Sequence, residues 1–178
     1  MGGGISMFTS NYWNYKVFIE SRSIGNGVEW TRTDIGLKGL DGNTVLFFLQ
    51  RSDSAAQYYY VYGTLGIRSG LGIVVGTGTS DPDITDYALS TDITSSLINT
   101  SVSSSTGIDG AGIKTVLSFT GTNNTGSDIT ITEYGITKAV NIGNSVTTPV
   151  LITHELLSNP LVVPTGSSFV LSVEWKDT

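Results

Sequence analysis

His154 is the only histidine in this chain, and it is followed directly by Glu155. A lone histidine precludes a multi-histidine metal site, and no second His follows to complete H-E-x-x-H, the helical zinc pattern in which the Glu acts as base. With no cysteine, thiolate ligands, a cysteine nucleophile and disulfides are excluded, and with them a disulfide-stapled secreted module. No G-x-S-x-G elbow is present to expose a serine nucleophile. A glycosidase-like pair of carboxylates is defined by separation in space and not by spacing in sequence, so Glu20, Glu29, Glu133, Glu155 and Glu174 stay open on that count.

Two further groupings bear on ligands. Gly70, Gly72, Gly76 and Gly78 resemble a phosphate-binding loop only superficially, since G-x-G-x-x-G fails at Val75 and no Gly-Lys-Ser/Thr follows; they read as turn glycines. Asp81, Asp83 and Asp86 lie close together, but their spacing matches no EF-hand loop, which needs alternating ligands, a central Gly and a terminal Glu. They read as a solvated loop, and no cofactor or metal is expected.

The aromatic residues point to contacts and not to catalysis. Tyr58-Tyr59-Tyr60-Val61-Tyr62 places Tyr58, Tyr60 and Tyr62 on one face of a strand. A tyrosine row of this kind fills a core, forms a protein interface or stacks sugar rings. Tyr12, Trp13, Tyr15 and Phe18 form a second aromatic group behind a Gly2-Gly3-Gly4 start. These seven residues are the candidate interface. The segment 1–24 reads as either an N-terminal arm ordered against other subunits or a first strand, and 25–178 as one β-sandwich domain.

The elements that must position these residues are clearest from Val116 to Trp175. Val116–Thr120 is a strand, Asn123–Asp128 a polar turn, and Ile129–Thr132 a β-branched strand. Val150–His154 is another strand, on which His154 should share a face with Val150 and Ile152. Pro164-Thr165-Gly166 then turns the chain into a closing strand that alternates Phe169, Leu171, Val173 and Trp175 inward with Ser172 and Glu174 outward. Upstream, Thr44–Gln50 and Leu71–Val75 read as strands, and Gly25-Asn26-Gly27 and Asp41-Gly42-Asn43 as turns. Residues 91–112 form a hairpin or long surface loop, and Asp83–Leu89 the single short helix, with Asp83 or Thr85 as N-cap. The fold class is therefore all-β: an antiparallel, jelly-roll-like β-sandwich with at most one short helix.

The order of these motifs resembles the C-terminal half of small virion proteins encoded by tailed bacteriophages. That pattern comprises a polar turn, an I-T-I-x-E-x-G strand, an L-x-x-R-x-x-L segment, a Pro, and a P-x-G turn before the last strand. Here it falls on Ile129, Ile131, Glu133, Gly135, Leu151, His154, Leu157, Pro160, Pro164 and Gly166. His154 replaces the more usual Arg and Tyr134 the more usual Val, so the match is to a pattern and not to a near relative. Ile73–Pro82 with Asp86–Leu89 is similar to a segment that often precedes it, and the resemblance covers roughly residues 72 to 176. It implies a non-catalytic structural protein in which Glu133 and His154, set among apolar strands, have hydrogen-bonding roles. Such a protein assembles with itself and with other head, neck or tail proteins into a virion in the host cytoplasm. The alternative of a different class is a carbohydrate-binding or adhesin-like module using the Tyr58–Tyr62 row, and the two meet if a virion surface touches host glycans.

Composition agrees with this and removes other classes. The 178 residues carry a net charge of -6, and nine basic side chains scattered along the chain offer no stripe for a phosphate backbone, so nucleic acid is not an expected partner. Only 13% of residues are charged while 22 are Gly, which suits short strands and tight turns better than long helices. No apolar run reaches membrane-spanning length, and the start lacks the basic and apolar regions of a signal peptide. The same start formally fits a myristoylation pattern, but its glycines read better as the flexible origin of an arm. The sequons at Asn99 and Asn123 read as accidents of composition.

Overall fold

The computed structural model describes residues 7–13, 36–46, 71–109, 112–141 and 147–177. In chain order its strands are β1 (Met7–Phe8), β2 (Gly36–Lys38), β3 (Thr44–Leu46), β4 (Leu71–Gly76), β5 (Leu97–Asp109), β6 (Gly112–Asn123), β7 (Ile129–Asn141), β8 (Thr147–Val163) and β9 (Ser168–Asp177). All pairings are antiparallel. One sheet has the order β1-β8-β7-β4, the other β5-β6-β9, and β2-β3 is a separate hairpin. The fold is thus an all-β sandwich with open sheets.

The chain path follows from two turns. β6 ends at Asn123 and β7 begins at Ile129, with Gly126 at φ 85° between them. β8 ends at Val163 and β9 begins at Ser168, with Gly166 at φ 74°. A side chain at either φ is strained, so glycine permits the turn. β7 pairs with β8 while β6 and β9 pair in the facing sheet, the nesting expected of a jelly-roll-like path. Asn123, fully buried, locks the two turns together: its Nδ2 donates to the Ser127 and Val163 carbonyls, and its backbone N–H donates to Ser167.

The core lies between the sheets. Leu117 and Phe119 from β6 and Phe169 and Val173 from β9 meet Ile131, Tyr134 and Ile136 from β7 and Val150 and Ile152 from β8. Phe119 and Phe169 pack with ring centroids 5.8 Å apart. From Phe169 to Glu174 of β9 the expected alternation holds, with Phe169 and Val173 buried, Leu171 half-buried, and Val170, Ser172 and Glu174 exposed; the Trp175 side chain lies outside the described residues.

β8 departs from ideal pairing twice. Opposite Thr132 its register jumps across Leu157–Pro160, which lets Pro160 sit outside the regular ladder. Near Ile152, Ile136 faces Thr153 while Thr137 faces Leu151, so β8 carries one extra residue. That bulge overturns one expectation. Val150 and Ile152 enter the core, but His154 lies on the other face of the sheet, with Gly135 opposite it, because each added residue inverts the alternation beyond it.

Asp83–Leu89 forms turns and no helix, because Asp83 Oδ1 accepts from the Thr85 N–H and hydroxyl and Asp86 Oδ2 accepts from the Asp83 N–H, satisfying locally the donors a helix would use. The described helical turns are instead residues 10–13 and the 3-10 turn Thr94–Ser96. The Asp41-Gly42-Asn43 turn forms as expected, with Gly42 at φ 79° and Asn43 donating to Asp41. Residues 91–112 supply the hairpin strand β5. The Gly25-Asn26-Gly27 turn and the Val45–Leu49 core residues beyond Leu46 lie outside the described residues.

Candidate functional site

The outer face of the β1-β8-β7-β4 sheet, away from the core, is roofed by the segment that links β4 to β5. Leu89 from this segment packs with Val74 and Leu151. The polar centre of the contact is Glu133 on β7, fully buried together with His154 on β8. Glu133 Oε1 accepts from the backbone N–H of Gly78 at 2.9 Å and of Thr91 at 2.8 Å. Its Oε2 accepts from the Ser90 N–H at 3.1 Å and lies 2.8 Å from His154 Nε2. The other ring nitrogen, His154 Nδ1, lies 2.6 Å from Asp86 Oδ2 in the roof segment.

Local sequence explains how the carboxylate is reached. β4 ends at Gly76, and a Cβ at Gly76 or Gly78 would run into the Glu133 carboxylate, with the Thr91 carbonyl 2.6 Å from the first and Ser90 Cβ 2.5 Å from the second. The Gly76-Thr77-Gly78 run therefore cradles an anion as phosphate loops do, but the anion belongs to the chain. Thr132 on the same strand donates its hydroxyl to the Gly78 carbonyl at 2.5 Å. Gly135 faces His154 because a Cβ there would meet Leu151, with the Thr153 carbonyl 2.9 Å away.

The electrostatics are those of a satisfied internal ion. Burial is the largest single influence on the Glu133 carboxyl and pushes its pKa up. The N–H groups of Thr91 and Ser90, the His154 ring and the Gly78 N–H together outweigh it and hold the group below its ordinary value of 4.5. Protonated, the His154 ring donates to both carboxylates; neutral, it donates to one only. Beside this network, Tyr134 donates to Glu155 Oε2 at 2.6 Å, and burial followed by that contact raises the Tyr134 phenol above its ordinary range.

A general base or nucleophile needs a lone pair open to substrate, whereas both Glu133 oxygens are occupied by donors of the chain and the group has no solvent exposure. The arrangement instead ties the roof segment to the sheet at four points. Among the described residues no group of three or more His, Cys, Asp or Glu is arranged to hold a metal ion, and no helix is long and apolar enough to cross a membrane. Of the other carboxylates considered, Glu174 lies on the opposite sheet, ion-paired with Lys114 at 2.8 Å, and Glu20 and Glu29 lie outside the described residues.

The resembling pattern marks both Glu133 and His154 as hydrogen-bonding positions without naming their partners; the register of β7 with β8 makes them partners of each other. Asp86, 68 residues from His154, shows in the sequence only as a member of the acidic cluster and of the Asp86–Leu89 segment, with nothing to mark it as a partner of His154. Of the candidate interface residues, Tyr12 stacks on Phe8 at 4.1 Å between centroids and packs on the core, and Trp13, 45% exposed, meets both edge-on. Their anchor is intramolecular: β1 pairs with β8, and Thr9 and Asn11 are buried. The Asn11 side chain accepts from the Lys38 N–H and donates to the Lys38 carbonyl, both at 2.8 Å, standing in for a strand neighbour of β2. Tyr15, Phe18, Tyr58, Tyr60 and Tyr62 lie outside the described residues.

A second feature lies at the edge of the other sheet. β5 is exposed on both faces from Ile98 to Ile108, and among the described residues it pairs only with β6. Comparison of the chain with protein-family models, with curated proteins and with solved structures finds no match.

Proposed function

We propose that this chain is a non-catalytic structural protein of a tailed-bacteriophage virion, assembling in multiple copies with itself and with other head, neck or tail proteins. The observation that carries the reading is the bond between Glu133 and His154, the two polar positions of the strand pattern that resembles such proteins. Their side chains, the Gly76 and Gly78 cradle and Gly135 form one unit that pins a long connection onto a sheet. Residues that would be hard to place in an enzyme acquire a joint mechanical role. The long exposed strand β5 supports the same reading, since an open edge of this length offers the backbone groups through which subunits join.

The test is direct. An antibody raised against the purified chain should label purified phage particles, and the chain should appear in their protein complement at a fixed ratio to the major head or tail protein. Particles from a producing lysate that lack the chain, together with a purified protein that remains monomeric at high concentration, would defeat the proposal. Saturable binding of that monomer to a glycan array would instead favour the carbohydrate-binding alternative.

A further inference from the structure

We propose that β5 is the self-association edge of the molecule, joining two copies across a two-fold axis at Ser105 into one continuous six-stranded sheet. The inference rests on the assembly reading above and names its surface. β5 spans 13 residues, about 40 Å at about 3.3 Å per residue, and from Leu97 to Ile108 it contains no charged residue and no proline. Exposed edges normally carry Lys, Pro or inward charges that prevent pairing. This edge has only the register shift between Ile98 and Ser101, and the ladder beyond it is regular.

The side chains fit one register. On β5 the residues opposite Thr115, Leu117 and Phe119 are Thr106, Ser104 and Val102, and Ile108 continues that face. This is the core side of the sheet, yet Val102 is 39% and Ile108 88% exposed, so the hairpin overhangs the facing sheet. In an antiparallel pair centred on Ser105, Val102 of one copy lies opposite Ile108 of the other, Ser103 opposite Gly107, and Ser104 opposite Thr106. Between Val102 and Ile108 every apolar residue meets an apolar residue, and the Val102–Ile108 pair occurs twice, as an isologous interface requires. No charge opposes another within this span, and the outer face continues the hydroxyl pairs Ser101–Thr120 and Ser118–Ser172 already present on the sheet.

The chain has no cysteine, so Ser105→Cys introduces a single thiol at the axis. Directly opposite residues in an antiparallel pair have Cα atoms about 4.5–5.5 Å apart, within the disulfide range of about 4.4–6.8 Å. Mild oxidation of full-length Ser105→Cys should give a covalent dimer at least tenfold faster than Asn124→Cys, a control in an exposed turn. The double variants Val102→Lys/Ile108→Lys and Val102→Glu/Ile108→Glu, altered only at exposed positions, should each lose mass in light scattering and regain it when mixed. Cross-linking no faster than in the control, or a Lys variant with undiminished mass, overturns the β5 edge while leaving assembly through another surface intact. A wild-type chain that is monomeric at every concentration and absent from particles overturns both proposals.

Discussion

Replacing Glu133 by Ala removes the acceptor for three backbone N–H groups and the His154 ring at a position with no solvent exposure. Removing one partner of a buried charged network costs about 3–5 kcal/mol, because donors that lost water on folding are left unmatched. Glu133→Gln separates charge from shape. With its amide oxygen at the Oε1 position, Gln still accepts from Gly78 and Thr91, and neutral His154 can accept from its NH2 group. Only the Ser90 N–H then confronts a donor, at about 1–3 kcal/mol. Urea denaturation should therefore rank wild type above Gln and Gln above Ala. Because a domain of this kind has about 5–15 kcal/mol in total, the Gln variant remains folded even if the Ala variant does not. Hydrogen exchange should show faster opening at Gly78, Ser90 and Thr91 in the Ala variant and chiefly at Ser90 in the Gln variant, with β6 and β9 amides changing only in step with global stability. Glu133 does not hold the roof segment to the sheet if Glu133→Ala costs no more than the exposed control Ser172→Ala, or if those three amides exchange in the Ala variant as in wild type.

The lowered Glu133 carboxyl fixes the sign of an acid effect: the unfolded chain binds the proton more readily, so this contribution is complete above the ordinary value of 4.5 and is lost as pH falls through the lower folded value. Denaturation midpoints should fall with acidification in the wild type and more shallowly in Glu133→Gln. Gly78→Ala, which drives a Cβ against Glu133 and Ser90, should destabilise measurably in thermal melts, whereas Gly107→Ala on β5, with nothing within 4 Å, should be neutral or slightly stabilising. Leu117→Ala, 1% exposed in the core, should cost about 2–5 kcal/mol in urea denaturation, and Val170→Ala, 62% exposed on the neighbouring strand, less than about 0.5 kcal/mol. Asn11→Ala removes both bonds to the Lys38 backbone and should lower the stability of the monomer by about 1–3 kcal/mol, read in the same assay at a protein concentration where no oligomer forms.

The run from β6 to β9 was legible in the chain itself because its signals are local. Alternation of Phe169, Leu171 and Val173 reports a half-buried strand wherever that strand pairs, and Gly126 and Gly166 mark backbone angles that side chains resist. The two polar residues that matter most, Glu133 and His154, stood out through their place in the resembling pattern, as polar groups in or beside apolar strands. Their partnership was not legible. It depends on which β7 residue faces which β8 residue, and the extra residue near Ile152 reversed the face assigned to His154. Asp86 and the N–H groups of Gly78, Ser90 and Thr91 come from a connection whose path over the sheet no periodicity encodes, so the acidic cluster and the glycines looked like ordinary loop residues. The exposure of β5 was equally hidden, since a Ser- and Thr-rich strand reads the same whether or not a facing sheet covers it. Strand identity is written in nearest neighbours along the chain, whereas burial and hydrogen-bond partners are set by register and by what lies across the sheet, which only the folded structure decides.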